Sequence, residues 1–220
     1  MIGKCSHDCQ YCYVKAITKR FPNSKAMYEG PCRFNPKDEN INLGMGKKIF
    51  VAHTSDLFAK EVPDELIIKI LNICKKYSKN EYVIQTKNPQ RMLQYLYLLP
   101  KDNYELGTTI ETDDAVLLET LSKAPTPVER LISMAFLKSK GYTTFITIEP
   151  IMKMDPKRLG ELLIRARPDF INIGADSKKS NLSEPTWQDI EELKSYISSE
   201  GIEIKIKTNL DRLKPKLKTK

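Results

Sequence analysis

The chain has 220 residues, 40% of them hydrophobic and 29% charged, with a formal net charge of +8. Its length suits one domain with a substantial core, and no apolar run approaches the roughly 18 residues that would cross a bilayer. Five cysteines, three of them within residues 5–12, do not make a disulfide framework for a chain of this size. With no signal-peptide profile at the N-terminus, a reducing cytoplasm is the expected compartment.

The first informative stretch is Cys5-Ser-His-Asp-Cys9-Gln-Tyr-Cys12, three thiols spaced C-x3-C-x2-C. Three thiolates are one too few to saturate a [4Fe–4S] cluster, which takes four. An iron without a protein thiolate can take a small-molecule ligand, as a catalytic metal keeps one position open. The rival is zinc: Cys5, His7, Cys9 and Cys12 form a chemically reasonable Cys3His set, although three of them crowd at two-residue steps.

Gln10 to Phe21 reads as a short helix, with Val14, Ile17 and Phe21 at helical spacing. Residues 22–45 form a long loop rich in Pro, Asn and Gly, the kind of segment that often carries binding function. Cys32 lies there without ligand-like spacing, and Cys74 falls on the apolar face of a helix expected over residues 63–77. From residue 48 short apolar runs alternate with helical patterns. Strands are expected at residues 49–52, 82–84, 104–110, 143–148, 170–173 and 202–206. Helices are expected at 63–77, 89–98, 114–122, 127–140, 155–167 and 184–199. That alternation predicts βαβ units and a parallel sheet in one domain spanning residues 1–220.

In parallel α/β barrels the working residues stand at the C-terminal ends of the strands. Here the runs end in His53-Thr-Ser-Asp56, Gln85-Thr-Lys87-Asn88, Thr108-Thr109-Ile-Glu111, Thr147-Ile-Glu149-Pro150, Gly174-Ala-Asp176-Ser177 and Lys207-Thr-Asn209. Loops are polar in general, but Lys87 and Glu149 directly follow apolar runs, where a charge is costly without a partner. The stretch from Glu203 to Lys220 carries seven basic residues against two acidic ones. A basic tail over residues 210–220 is consistent with polyanion binding and equally with a solvated terminus.

The cysteine spacing, with Tyr11 just before the third cysteine, resembles the signature of the radical S-adenosylmethionine (radical SAM) superfamily. In that family the amino and carboxylate groups of SAM chelate the unique iron, and the reduced cluster cleaves SAM to methionine and a 5′-deoxyadenosyl radical. The resemblance implies a partial parallel (β/α)6 TIM-type barrel with the cluster loop after its first strand, for which Met1–Lys4 is the stunted candidate. It implies Cys5, Cys9 and Cys12 as ligands of a [4Fe–4S] cluster and Tyr11 as the aromatic packed near the adenine. Ser55 or Asp56 would hold the SAM amino group where relatives carry a Gly-Gly-Glu-like motif. Lys87 matches the carboxylate position, and Thr109 and Glu111 the ribose. His53, Glu149, Asp176 and Asn209 are then expected on the substrate side.

A narrower similarity lies in Phe50-Val-Ala-His-Thr-Ser-Asp-Leu-Phe58, Val62-Pro-Asp-Glu-Leu66 and Gln85-Thr-Lys-Asn-Pro-Gln-Arg-Met92. These look like a group of phage and prokaryotic radical SAM-like proteins of unassigned function near the spore photoproduct lyase branch, which repairs a thymine dimer in DNA. Enzymes of that branch use a cysteine toward the C-terminus as hydrogen donor, and the last cysteine here is Cys74. The implied function is a radical SAM enzyme that abstracts hydrogen from its substrate, with SAM and a reductant such as flavodoxin or ferredoxin as partners. Kinship and the basic tail lean the substrate toward a nucleic acid or nucleotide. The alternative is a zinc-binding Cys3His nucleic-acid-binding module without radical chemistry.

Overall fold

The computed structural model describes residues 1–178 and 180–215. Six strands form one sheet in the order β1-β2-β3-β4-β5-β6, every neighbouring pair parallel: β1 Lys48–Phe50, β2 Glu81–Gln85, β3 Tyr104–Thr109, β4 Thr143–Ile148, β5 Phe170–Ile173 and β6 Glu203–Ile206. Sequential order with parallel pairing requires a crossover after each strand. The crossovers carry α2 Asp64–Lys76, α3 Pro89–Met92 with a 3₁₀ extension to Leu98, α4 Ala115–Leu121 and α5 Pro127–Ser139, α6 Pro156–Ala166, and α7 Trp187–Ser199. The sheet does not close, a mixed α/β architecture compatible with the expected partial TIM-type barrel.

Side chains alternate across a strand. Ile84, Leu106, Ile146, Ile148, Ile171 and Ile173 point to the helices and are all buried. Each helix answers with an apolar face: α2 buries Leu66, Ile67, Ile70, Leu71 and Cys74. Burying each such aliphatic side chain contributes about 1.5–3 kcal/mol. Helix starts are fixed locally. Thr126 and Glu129 form a capping box before α5, Thr186 and Asp189 another before α7, and Asp155 caps α6.

The other face of the sheet is polar and partly open. Register places Gln85, Gly107, Phe145 and Phe170 in one row, and Thr109, Thr147 and Asn172 in the next. Gly107 is needed there, because a Cβ would lie 2.3 Å from a ring carbon of Phe145. The Phe145 ring fills that gap and stacks on Phe170 at 5.2 Å between centroids. Above it the Thr147 hydroxyl donates to Gln85 Oε1 at 2.9 Å, and Asn172 Nδ2 donates to Thr147 Oγ1 at 3.3 Å.

Two expectations change. Met1–Lys4 does not join the sheet: Ile2 makes an isolated antiparallel bridge to Arg33 in the long loop. Gly3 allows it, at φ +116°, where a Cβ would meet Pro31 O at 2.4 Å. The first helix is α1 Tyr13–Arg20, shorter than its pattern suggested and without a buried residue. The N-terminal segment is thus tied to the long loop, and that anchors the cysteine loop that follows it.

Candidate functional site

Two adjoining cavities lie at the C-terminal ends of the strands. The larger, about 530 Å³, is lined by Tyr11, Gln85, Lys87, Thr109, Glu149 and Lys207 among others. The smaller, about 320 Å³, is lined by Cys5, Cys9 and Cys12 together with Thr54 and Tyr28. Cys9 and Cys12 belong to both, so the two cavities meet at the thiols. All five cysteines are free thiols. Burial, and then the Asp56 carboxylate, push Cys5 up to about 12, which makes it a neutral thiol in the absence of a bound cation.

The cysteine loop is held from both sides. His7 Nε2 lies 3.0 Å from Asp56 Oδ2. The backbone N–H of Lys123 donates to His7 O at 2.7 Å, that of Gln10 to Leu121 O at 2.8 Å, and Cys9 Sγ lies 3.1 Å from Ser122 Oγ. Asp56 is saturated. Beyond His7, it accepts from the Thr86 hydroxyl at 2.6 Å, from Lys87 N at 2.7 Å and from Phe58 N at 3.0 Å. Burial would raise its pKa, yet the His7 bond and charge, Thr86 and the Lys87 N–H hold it below the ordinary carboxylate value. Asp56 lines neither cavity, and all four of these contacts are made within the protein. Ser55 lines neither cavity as well, and its Oγ is buried without a partner among the described residues.

Across the mouth, Lys87 stands over Tyr11, its Nζ 5.1 Å from the ring centroid and 3.3 Å from the hydroxyl. The same ammonium donates to Thr109 Oγ1 at 2.7 Å and to Glu111 Oε1. Glu111 is fully buried, and its other oxygen accepts from Arg130 Nη1 at 3.0 Å. Burial opposes ionisation, but the two cations hold Glu111 at about 2. Burial first, then Glu111, pushes the Tyr11 hydroxyl well above its ordinary value, so Tyr11 is a neutral phenol. Glu111 does not line the cavity and stands behind Lys87, its two oxygens taken by Lys87 and Arg130.

On the far wall, Glu149 is paired with Lys207 and accepts from Asn209 Nδ2 at 2.7 Å. Gly174 makes room for both, since a Cβ would stand 2.9 Å from the Glu149 carboxyl. Asn209 braces Glu149 and lies outside the cavity lining, whereas exposed His53 and buried Asp176 line it. Asp176 spends its oxygens on its own loop, accepting from Lys178 N at 2.8 Å and from Ser180 N. Cys32 is removed from the cysteine cavity, its thiol donating to Lys4 O at 3.3 Å. In the tail, Arg212 pairs with Glu184 and Lys214 with Asp211, and residues 216–220 lie outside the described residues.

The residue that pattern reading missed is Arg130. It is fully buried on the core face of α5, among Pro127, Leu131, Met134 and Leu137. A charged residue at a core position of an amphipathic helix is the signal that marks it.

The donor set fits a cluster. Among the described residues no three His, Cys, Asp or Glu side chains converge tightly enough to hold a single metal ion. Three soft sulfur donors around one cavity suit iron–sulfur ligation. In a Cys3His arrangement His7 would have to use Nδ1, because its Nε2 is engaged by Asp56.

Among solved structures the fold is similar to two radical SAM enzymes. One is spore photoproduct lyase complexed with dinucleoside spore photoproduct, with TM-score 0.64 and 12% identity over 94% of this chain and 74% of that one. The other is Streptococcus suis SuiB, bound to precursor peptide SuiA (TM-score 0.60, 13% identity, 93% of this chain and 46% of that one). SuiB bound to S-adenosylmethionine gives TM-score 0.58 and 14% identity, over 97% of this chain and 48% of that one. The chain spans about half the length of SuiB. No helix of the described residues is long and apolar enough to cross a membrane. No curated protein matches the chain. Residues 2–189 match the model of a family described as protein of unknown function (DUF5131), and the chain belongs to that family.

Proposed function

We propose that this chain is a radical SAM enzyme in which Cys5, Cys9 and Cys12 hold a [4Fe–4S] cluster, with SAM bound across the strand ends. One observation carries the reading: the cavity lined by the three thiols shares Cys9 and Cys12 with the larger cavity bordered by Tyr11, Lys87 and Thr109. When bound, the cluster supplies the electron that cleaves SAM, and the protein's share is placement and electrostatics.

Each residue's part follows from where it stands. Tyr11, neutral and packed beside Cys9, Leu118 and Met152, offers a ring face to the adenine. Lys87 offers its ammonium to the SAM carboxylate, a charge-assisted contact, and Thr109 adds a hydroxyl beside it. Asp56 keeps the cysteine loop in place through His7. Gln85, Thr147 and Asn172 form a hydrogen-bonded floor, and Glu149 with Lys207 forms the wall against which the substrate lies. Lys178 and Lys207 line the same cavity and the whole chain carries +8, which supports an anionic substrate, a nucleic acid or nucleotide. A protein reductant such as a flavodoxin or ferredoxin supplies the electrons.

The test is anaerobic reconstitution with iron and sulfide, followed by reduction with SAM. Broad visible absorbance of a cluster and release of 5′-deoxyadenosine are expected. Stoichiometric zinc with no cluster absorbance would overturn the reading. For the substrate class, binding of single-stranded DNA or RNA should weaken as salt rises, and no binding at low salt removes nucleic acid from the proposal.

A further inference from the structure

We infer that Arg130 is a positioning residue that keeps the Lys87 ammonium available to an anionic ligand by drawing off half of the Glu111 carboxylate. The inference rests on the reading that the ligand anion is the carboxylate of SAM.

Each cation takes one oxygen of Glu111: Lys87 takes Oε1, and Arg130 Nη1 takes Oε2 at 3.0 Å. Glu111 and Arg130 have no exposed surface, whereas Lys87 keeps 16% of its side chain exposed and lines the larger cavity. Two cations against one carboxylate leave one net positive charge, buried except at the Lys87 end, which faces the cavity. A buried charge without a counter-charge is costly, so the site favours a ligand that brings an anion to the accessible end, which is Lys87. Glu129 does not fill that role, because its carboxylate turns to Thr126 at the exposed start of α5.

Arg130 cannot swing away to change this balance. Its Nε donates to Pro125 O at 2.6 Å and its Nη1 also donates to Thr109 O at 2.9 Å, so the planar fork is pinned from three sides. Its Nη2 finds no acceptor among the described residues, which leaves part of its charge unanswered by the protein. Without Arg130, both oxygens of Glu111 are free to close on Lys87. The resulting neutral pair has no reason to prefer an anion.

The experiment compares, on the cluster-reconstituted protein under anaerobic conditions, the affinities for SAM and for decarboxylated SAM. The ratio of the two is the readout, since a merely structural role would weaken both ligands alike. Arg130→Met should lower the ratio about tenfold, equivalent to about 1.4 kcal/mol, and Arg130→Lys should recover most of it. Glu111→Gln, which releases Lys87, should raise the ratio above wild type. An unchanged ratio in an Arg130→Met protein that still unfolds cooperatively overturns the inference. So does a Glu111→Gln ratio at or below wild type, which decides the matter even where Arg130→Met does not fold. If the wild-type protein shows no preference for SAM over its decarboxylated form, the assignment of Lys87 to the SAM carboxylate itself fails.

Discussion

Asp56→Asn is the most incisive single change, because it keeps shape and volume while altering only charge and donor pattern. The carboxylate accepts four hydrogen bonds, from Phe58 N and Thr86 Oγ1 on one oxygen and from His7 Nε2 and Lys87 N on the other. An amide replaces one oxygen by an NH₂ group, so whichever way it turns, the N–H of Phe58 or of Lys87 loses its acceptor. Losing a hydrogen bond to a charged group while stranding a buried donor costs about 2–4 kcal/mol. For a domain of this length each kcal/mol lowers Tm by about 2–4 °C, so about 3 kcal/mol gives a fall of about 6–12 °C. Thermal melts followed by circular dichroism measure the drop, and native-state hydrogen exchange should show lost protection over residues 5–12. His7→Ala should cost clearly less in the Asp56→Asn background than alone, since both act through one contact. A Tm within about 2 °C of wild type, with the loop still protected, would refute the idea that Asp56 anchors the cysteine loop.

Three further outcomes follow from the same geometry. Gly107→Ala would place a Cβ 2.3 Å from the Phe145 ring, an overpacking cost of about 1–3 kcal/mol that Phe145→Leu in the same chain should partly relieve in thermal melts. Cys12→Ser should abolish cluster absorbance after reconstitution, whereas Cys32→Ser should retain it, because Cys32 donates to Lys4 O and lies outside the cysteine cavity. Glu111 has a folded-state pKa of about 2 against an ordinary 4.5, so between those values the unfolded chain binds the extra proton. Its stabilising contribution is complete above pH 4.5 and is lost as pH falls toward about 2; urea titrations across that window should show a slope that Glu111→Gln removes.

Much of the frame was legible because it rests on local periodicity. The apolar face of α2 is the set Leu66, Ile67, Ile70, Leu71 and Cys74 in sequence pattern and structure alike, and β4 and β5 keep their expected bounds. What was not legible depends on partners far away in the chain. Nothing local in Met1–Lys4 says that Ile2 bridges Arg33 instead of joining the sheet. Asp56 follows an apolar run at a strand end, and nothing local in that position names its partners. Its true surroundings are set by His7, 49 residues earlier, and by Thr86, 30 residues later. Arg130 was hidden for the opposite reason: it sits inside a good amphipathic helix, and only the contact with Glu111 explains a charge on that face.

Those distant partners also bear on the difference between a freestanding metal clip and a site that exists only in the folded barrel. A zinc knuckle brings its own turns, so it can fold around its ion with little help. The loop over residues 5–12 has no such autonomy. One side is fixed by Asp56 between β1 and α2, and the other by Leu121, Ser122 and Lys123 at the end of α4. The loop therefore spans the mouth of an open barrel between elements that meet only through the sheet. Tyr11 then inherits its place against Lys87 from the same two anchors. The proposed cluster ligands and the proposed SAM pocket are thus positioned together, so a change that frees the loop should remove cluster binding and SAM binding in one step.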